Sequence, residues 1–402
     1  MHARGWRWSW IRSGAAAYAV ASLLVVTALG ACRSAPNPSP RPSPAPSSTE
    51  GRPARRATST TPPRGASVSL TLVAERNVPP HTVVGEHRLG GISALVFRGR
   101  DRQLLALSDG RAEHGPGRLF LVDADRLIAT DAVRFGPPMA SQALDLEGMT
   151  RASDGTLWVA TEGDGKRDPR RPPSIWRVTD DGHVLGEVPV PDQLVPTPSG
   201  ELRHGVRSNK GIEGLTAPLE GGARVVAAVE QACAQDGPTA TFEQGTTTRL
   251  IVYEGTTARA QHAYLTDPVP PASAAGEVTA ADIGVSALAA LDRDRLLVME
   301  RAGVAVDGAY TNHVRIYEVS LAGAIDVSTV DALAADAPVL AKRLVLDLDS
   351  IIPDLDPAYA RLDNFEAMAF GTAPDGSLRL YVASDDNFSD DQRTALLVFA
   401  VE

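Results

Sequence analysis

The stretch LDLEGMTRASDGTLWVATEG, Leu144 to Gly163, holds two apolar runs joined by an SDG turn, each flanked by a carboxylate that precedes a glycine. Apolar runs of this length meeting at an Asp-Gly turn read as an antiparallel hairpin. With the turn midway, the residue that opens the first strand and the residue that closes the second lie at the same end. Glu147 and Glu162 are therefore expected to be neighbours.

The pattern recurs, giving five units that begin at GISALVF (Gly91), LEGMTRA (Leu146), IEGLTAP (Ile212), VSALAAL (Val285) and FEAMAFG (Phe365). Each is followed by a second apolar run and then a third, such as RLFLVDA from Arg118, SIWRVTD from Ser174 and TRLIVYE from Thr248. Four units add a weaker fourth run, and the fifth lacks one because the sequence stops at Glu402. An unpaired strand signal, SVSLTLVAE from Ser67 to Glu75, supplies the missing outer strand and closes the ring, which removes open sheet edges. The fold expected for residues 67–402 is all-β, a β-propeller of five four-stranded blades closed by its N-terminal strand. The units are longer than a compact blade of about 40 to 50 residues, so a sixth blade between Ile325 and Leu362 is the alternative.

The hairpin arithmetic also pairs Ser93 with Asp109, Glu213 with Glu230, Ser286 with Glu300, and Glu366 with Asp385. If the first two strands of each blade are innermost, one channel mouth receives Asp109, Glu147, Glu162, Glu213, Glu230, Glu300, Glu366 and Asp385. Clustered carboxylates share protons or bind cations. Oxygen ligands without a His or Cys cluster favour a hard ion, Ca²⁺ before Mg²⁺ or Mn²⁺. The competing reading is structural, since acidic side chains at strand ends also bond backbone amides in turns; Asp154, Asp181 and Asp375, all in DG turns, are assigned to that role. Lys210 and Arg301 lie near the same rim, where each would neutralise a carboxylate or orient a phosphate. Asn387 and Asp386 add oxygen ligands where the last second strand leaves the rim.

Residues 1–32 read as a lipoprotein signal peptide: three arginines precede an alanine-rich apolar stretch ending in LGAC, a lipobox-like sequence that would acylate Cys32. A retained membrane anchor is the alternative. Residues 33–66, rich in Pro and Ser, read as a disordered tether. The chain has two cysteines, so acylation of Cys32 leaves Cys233 alone and no intramolecular disulfide. Of 39 basic and 49 acidic residues, nine arginines and one glutamate precede residue 67, leaving 30 basic and 48 acidic and a net charge of −18. That balance argues against nucleic-acid binding. The reading is a monomer held by lipid on the extracytoplasmic side of a bacterial envelope.

Nucleophile and phosphate-loop signatures (GxSxG, SxxK, HExxH, Walker A) are absent. Ser108 and Ser384 read as turn residues, and His204 and His262 as surface or core histidines.

The ordered set GGISALVF…LALSDG, DLEGMTRASDGTLWVATEG, NKGIEGLT…AAVEQ, GVSALAALDRDRLLVMERAG and DNFEAMAFGT…YVASDDNFSDD resembles the family called esterase-like activity of phytase, from about Leu89 to Glu402. The resemblance implies phosphoester hydrolysis carried by the acidic positions above, with Arg301 following from the MERAG match. The expected activity is a metal-dependent phosphomonoesterase or phosphodiesterase acting on a small molecule, with Glu147 or Glu213 as general base. A calcium-dependent lactonase or esterase, and a non-enzymatic surface-binding propeller, are the alternatives.

Overall fold

The computed structural model describes residues 67–110, 114–219 and 222–402. The expected signal peptide and tether, with Cys32, lie outside the described residues. Within them the chain forms five four-stranded antiparallel sheets. The first strands along the chain are β1 (Leu70–Asn77) and a two-residue pair, β2 (Val83–Val84) with β3 (His87–Arg88). Blade 1 is β4 (Ile92–Arg98), β5 (Gln103–Ser108), β6 (Arg118–Asp123) and β7 (Ile128–Arg134). Blade 2 is β8 (Leu146–Arg151), β9 (Leu157–Thr161), β10 (Ser174–Val178) and β11 (Val184–Val188). Blade 3 is β12 (Ile212–Thr216), β13 (Arg224–Val229), β14 (Thr247–Glu254) and β15 (Thr257–Leu265). Blade 4 is β16 (Val278–Ala290), β17 (Arg295–Val306), β18 (Ala309–Ser320) and β19 (Lys342–Asp347). Blade 5 is β20 (Asn364–Thr372), β21 (Leu378–Asp385) and β22 (Ala395–Val401), with β1 as its outer strand.

The fold is thus a five-bladed β-propeller. The stretch between Ile325 and Leu362 contributes the outer strand of blade 4 and short helical turns, so the sixth-blade alternative falls away. β1 pairs with β22 from Leu70 opposite Val401 to Asn77 opposite Ala395, fastening both ends of the domain into one sheet. The innermost strands β4, β8, β12, β16 and β20 touch their neighbours in that order, and β20 returns to β4. Five apolar cores fill the wedges between adjacent blades, built from Phe365 and Phe399, Phe120 and Leu104, Leu119 and Leu157, Ile251 and Tyr253, and Leu250 and Leu296. Among the described residues Cys233 is free and no disulfide is formed, so this packing carries the stability; truncating Phe120 or Phe399, both at 0% exposure, to Ala costs about 3–5 kcal/mol.

Every inner strand carries a bulge at one equivalent place. The irregularity falls at Ser93 in β4, at Glu147 and Gly148 in β8, at Glu213 in β12, at Ser286 in β16 and at Glu366 in β20. A bulge leaves a residue out of the ladder and re-aims its side chain. It also draws neighbouring inner strands close: a Cβ on Gly148 would stand 3.0 Å from the Glu213 carbonyl oxygen, and one on Gly214 2.8 Å from Leu288. This explains the glycine after Glu147 and Glu213.

Blade 4 is longer than the rest. Strand residues before Val285 in β16, after Glu300 in β17 and before Val314 in β18 continue past the bulge level as a three-stranded wall, with Val278 opposite Val306. At about 3.3 Å per residue it rises roughly 20 Å. One face is covered by a small core of Val269, Ile283, Ala302, Val304 and Val306.

Candidate metal centre at the channel mouth

The bulges set the geometry of the mouth. The residue before each bulge pairs with Ser108, Thr161, Val229, Glu300 or Ser384. The residue after each of those partners is Asp109, Glu162, Glu230, Arg301 or Asp385. These five meet Gly91, Asp145, Gly211, Gly284 and Asn364 across the strand pair. Four blades therefore place a carboxylate at this position, and blade 4 places Arg301.

Glu300 is one residue out of step. Successive side chains in a strand point to opposite faces, so Glu300 turns away from the channel. It accepts hydrogen bonds from the Tyr264 hydroxyl, the Asp267 amide and Lys342 Nζ between blades 3 and 4. The expected ring is corrected here: Glu300 is not part of the mouth.

Five carboxylates do converge. Asp109, Asp145 and Glu147 each bring one oxygen within 4.8 Å of the others, and so do Glu147, Glu162 and Glu213. Glu147 belongs to both groups. Asp145 was not among the residues singled out from sequence, although it sits two places before Glu147 in the LDLEG stretch.

Water is largely excluded. Glu147, Glu162 and Glu213 are 7%, 3% and 6% exposed. Burial, reinforced by Glu213, Asp145 and Glu366, holds the Glu147 carboxyl well above the usual range. Burial and the charges of Glu162, Glu230 and Glu366 do the same to Glu213, and burial first pushes Glu162 up to about 7. A buried carboxylate without a countercharge favours its neutral form.

The nearby cations are already engaged. Lys210 Nζ lies 2.9 Å from Glu230 and 2.6 Å from Asp282, so it neutralises carboxylates at the foot of the blade 4 wall. Arg301 lies 3.1 Å from Glu366 and 4.0 Å from Glu230, and Asn364 adds a 2.9 Å bond to Glu366. Among the described residues no Lys, Arg or His forms an ion pair with Glu147, Glu162 or Glu213.

The remaining candidates serve the loop after β21. Asp385 accepts a 2.7 Å bond from the Asn387 amide, and the Asn387 side chain is turned to Gln392. Asp386 accepts from the Gly91 and Phe388 amides, tying blade 5 to blade 1. Ser108 and Ser384 donate to the carbonyls of Gly90 and Arg393. His204 contacts Asp331 and the Val195 carbonyl, and His262 the Ile325 carbonyl.

Two clefts reach the cluster. One of about 290 Å³ is lined by Asp145, Glu162, Lys166 and Asn209; the other, of about 220 Å³, by Asp109, Gly117, Gln142 and Leu144. The other end of the channel is a 230 Å³ pocket with Phe97, Met149, Leu215, Leu288 and Met368 in its walls. Arg151, Thr150 and Thr216 also line that end, which among its described lining residues carries no carboxylate.

The residues fit a hard divalent cation. The donors are carboxylate oxygens alone, and Glu162 Oε2 and Glu230 Oε2 are buried with no hydrogen-bond partner, a costly state that a cation would relieve.

Residues 87–388 match the family model described as phytase-like, esterase-like activity of phytase. Solved structures are matched distantly. U3-55K shares 10% identity over 81% of this chain and 98% of its own, with a TM-score of 0.33. The endo-arabinase of Bacteroides thetaiotaomicron shares 10% over 78% and 94%, with a TM-score of 0.39. Likeness at that level says nothing about activity. No curated protein matches the chain.

Proposed function

The chain belongs to the phytase-like family, esterase-like activity of phytase, and on that premise we propose that it is a calcium-dependent phosphoester hydrolase working at the acidic channel mouth. The observation that carries this reading is the group Glu147, Glu162 and Glu213, which is buried, crowded and, among the described residues, without an ion pair to a cationic side chain.

Glu147, Glu162, Glu213, Asp109 and Asp145 would hold the ion. When bound, calcium supplies positive charge to polarise a phosphoryl oxygen and to acidify water. The side chains do the rest. Whichever of Glu147 and Glu213 is left uncoordinated would take the proton from the attacking water. Arg301 holds Glu366 and Glu230 in place and presents positive charge beside a negative substrate. The clefts at Asp145 and Asp109 admit a small polar phosphoester, and the surrounding apolar blades keep bulk water out.

We further propose an extracytoplasmic monomer tethered through lipid on Cys32, a reading supported by the LGAC sequence that ends at that cysteine. The test of activity is turnover of p-nitrophenyl phosphate and bis(p-nitrophenyl) phosphate by the full chain, with calcium and with chelator. Calcium-dependent release of nitrophenol, lost in Glu213→Gln, is expected. No release with calcium overturns the phosphoesterase; calcium-dependent lactone cleavage in its place selects the lactonase.

A further inference from the structure

We propose that Lys166 is the side chain that receives the anionic group of the substrate at the channel mouth. The inference rests on the hydrolase reading above and deepens it, by naming how an acidic site takes in an anion.

The mouth sets a problem of charge. A phosphoester brought to Asp145 and Glu162 meets carboxylates, and the cations already placed nearby, Lys210 and Arg301, are paired with Glu230, Asp282 and Glu366. Lys166 differs from both. It lines the cleft of about 290 Å³ together with Asp145, Glu162, Ser208 and Asn209, as the one cationic side chain among the described lining residues. It is exposed, and among the described residues its side chain enters no ion pair or hydrogen bond.

Local structure fixes this position. Asp164 and Arg171 exchange backbone hydrogen bonds of 2.9 and 3.1 Å, which close the loop between β9 and β10 at its neck. The Asp164 carboxylate accepts the Lys166 amide at 3.0 Å. A Cβ on Gly165 would stand 2.6 Å from the Ser208 Cβ, so glycine lets the loop lie directly on the segment that leads into blade 3. Ser208 and Asn209, both exposed, offer a hydroxyl and an amide in the same cleft. One lining thus combines carboxylates that suit a cation with an ammonium and neutral donors that suit an anion.

The same loop carries further positive charge. Residues 164–171 read DGKRDPRR, four basic residues against two acidic ones in an otherwise acidic domain. Arg167 is exposed. Arg170 donates to the Thr197 and Gly200 carbonyls, and Arg171 to that of Ala143. Among the described residues none of the four forms an ion pair with a carboxylate. A local excess of one sign raises the concentration and arrival rate of the opposite ion, and Lys166 then supplies a compact charge for direct contact.

The test is a calorimetric titration of the calcium-loaded full chain with phenylphosphonate, a phosphoester mimic that cannot be hydrolysed, run beside turnover kinetics. Lys166→Gln is expected to weaken phenylphosphonate binding about tenfold, to raise KM more than it lowers kcat, and to bind calcium no more weakly than native protein. Lys166→Arg is expected to restore most of the loss. Arg167→Gln is expected to show a smaller loss that vanishes at about 0.5 M salt, where exposed charges are screened. Native affinity for phenylphosphonate in Lys166→Gln overturns the assignment and leaves the hydrolase standing. Binding that depends on Lys166 without turnover of either nitrophenyl ester keeps the assignment and removes the phosphoesterase. No binding of phenylphosphonate by the native calcium-loaded chain overturns both.

Discussion

The guanidinium of Arg301 lies 3.1 Å from the carboxylate of Glu366, joining blades 4 and 5 at the level where the other four blades each present a carboxylate. It is a fixed positive charge beside a site read here as one for cations. Replacing it by Gln should have opposite effects on two measurements. Calcium binding should tighten severalfold, on the order of 1 kcal/mol, because a competing charge is gone. Phosphoester turnover should fall. Weaker calcium binding in Arg301→Gln would contradict this role.

The ion-free protein should grow less stable as pH rises through neutrality. Glu162 titrates at about 7 when folded against an ordinary 4.5, so between those values the folded chain binds more protons than the unfolded one. Stability is therefore present below about pH 4.5 and declines up to pH 7. Each pH unit of displacement is worth about 1.4 kcal/mol for a single carboxyl. Chelated protein should melt higher at pH 5.5 than at pH 8, and Glu162→Gln should flatten that slope. A melting temperature that rises with pH over this window would count against the buried cluster.

Lys342 closes a second charged group, on the face of β17 turned away from the mouth. Its Nζ lies 2.6 Å from Glu300 and 2.7 Å from Asp267, and 4.3 Å from the Tyr317 ring centroid. Lys342→Met leaves Glu300, at 1% exposure, without a countercharge, and should cost about 3–5 kcal/mol in denaturant unfolding. Adding Glu300→Gln should recover much of that loss. An equal loss in the double variant would show that packing, not charge, is responsible.

Cys233 should be chemically silent in the native state. Its side chain is buried, and burial pushes the thiol up to about 12, so thiolate is scarce at neutral pH. Labelling by a thiol reagent at pH 8 should wait for unfolding and accelerate with denaturant. Rapid labelling of native protein would place Cys233 at an accessible surface instead.

The five blades were legible because alternation and a turn residue leave a mark in any strand pair, and LDLEGMTRASDGTLWVATEG shows both. The neighbourhood of Glu147 and Glu162 followed from hairpin geometry alone. The bulges were not legible: an extra residue on one strand changes pairing without changing residue type. Glu300 was misplaced for the related reason that a one-residue shift reverses every facing, and the run RLLVMER does not state its register. Asp145 could have been found, since alternation in LDLEG puts it on the face of Glu147. The wall of blade 4 was hidden by its composition, because VTAADIG is rich in Ala, Gly and Asp, which strands disfavour.

The most direct test of the central claim is a calorimetric titration of the chelated full chain with calcium, run in two buffers of different ionisation enthalpy, with Glu147→Gln as the companion. The account predicts saturable binding with proton release at pH 6.5, as carboxyls held protonated by burial give way to the ion, and severe weakening in the variant. Absence of saturable binding in the native chain, or equal binding in Glu147→Gln, would contradict it.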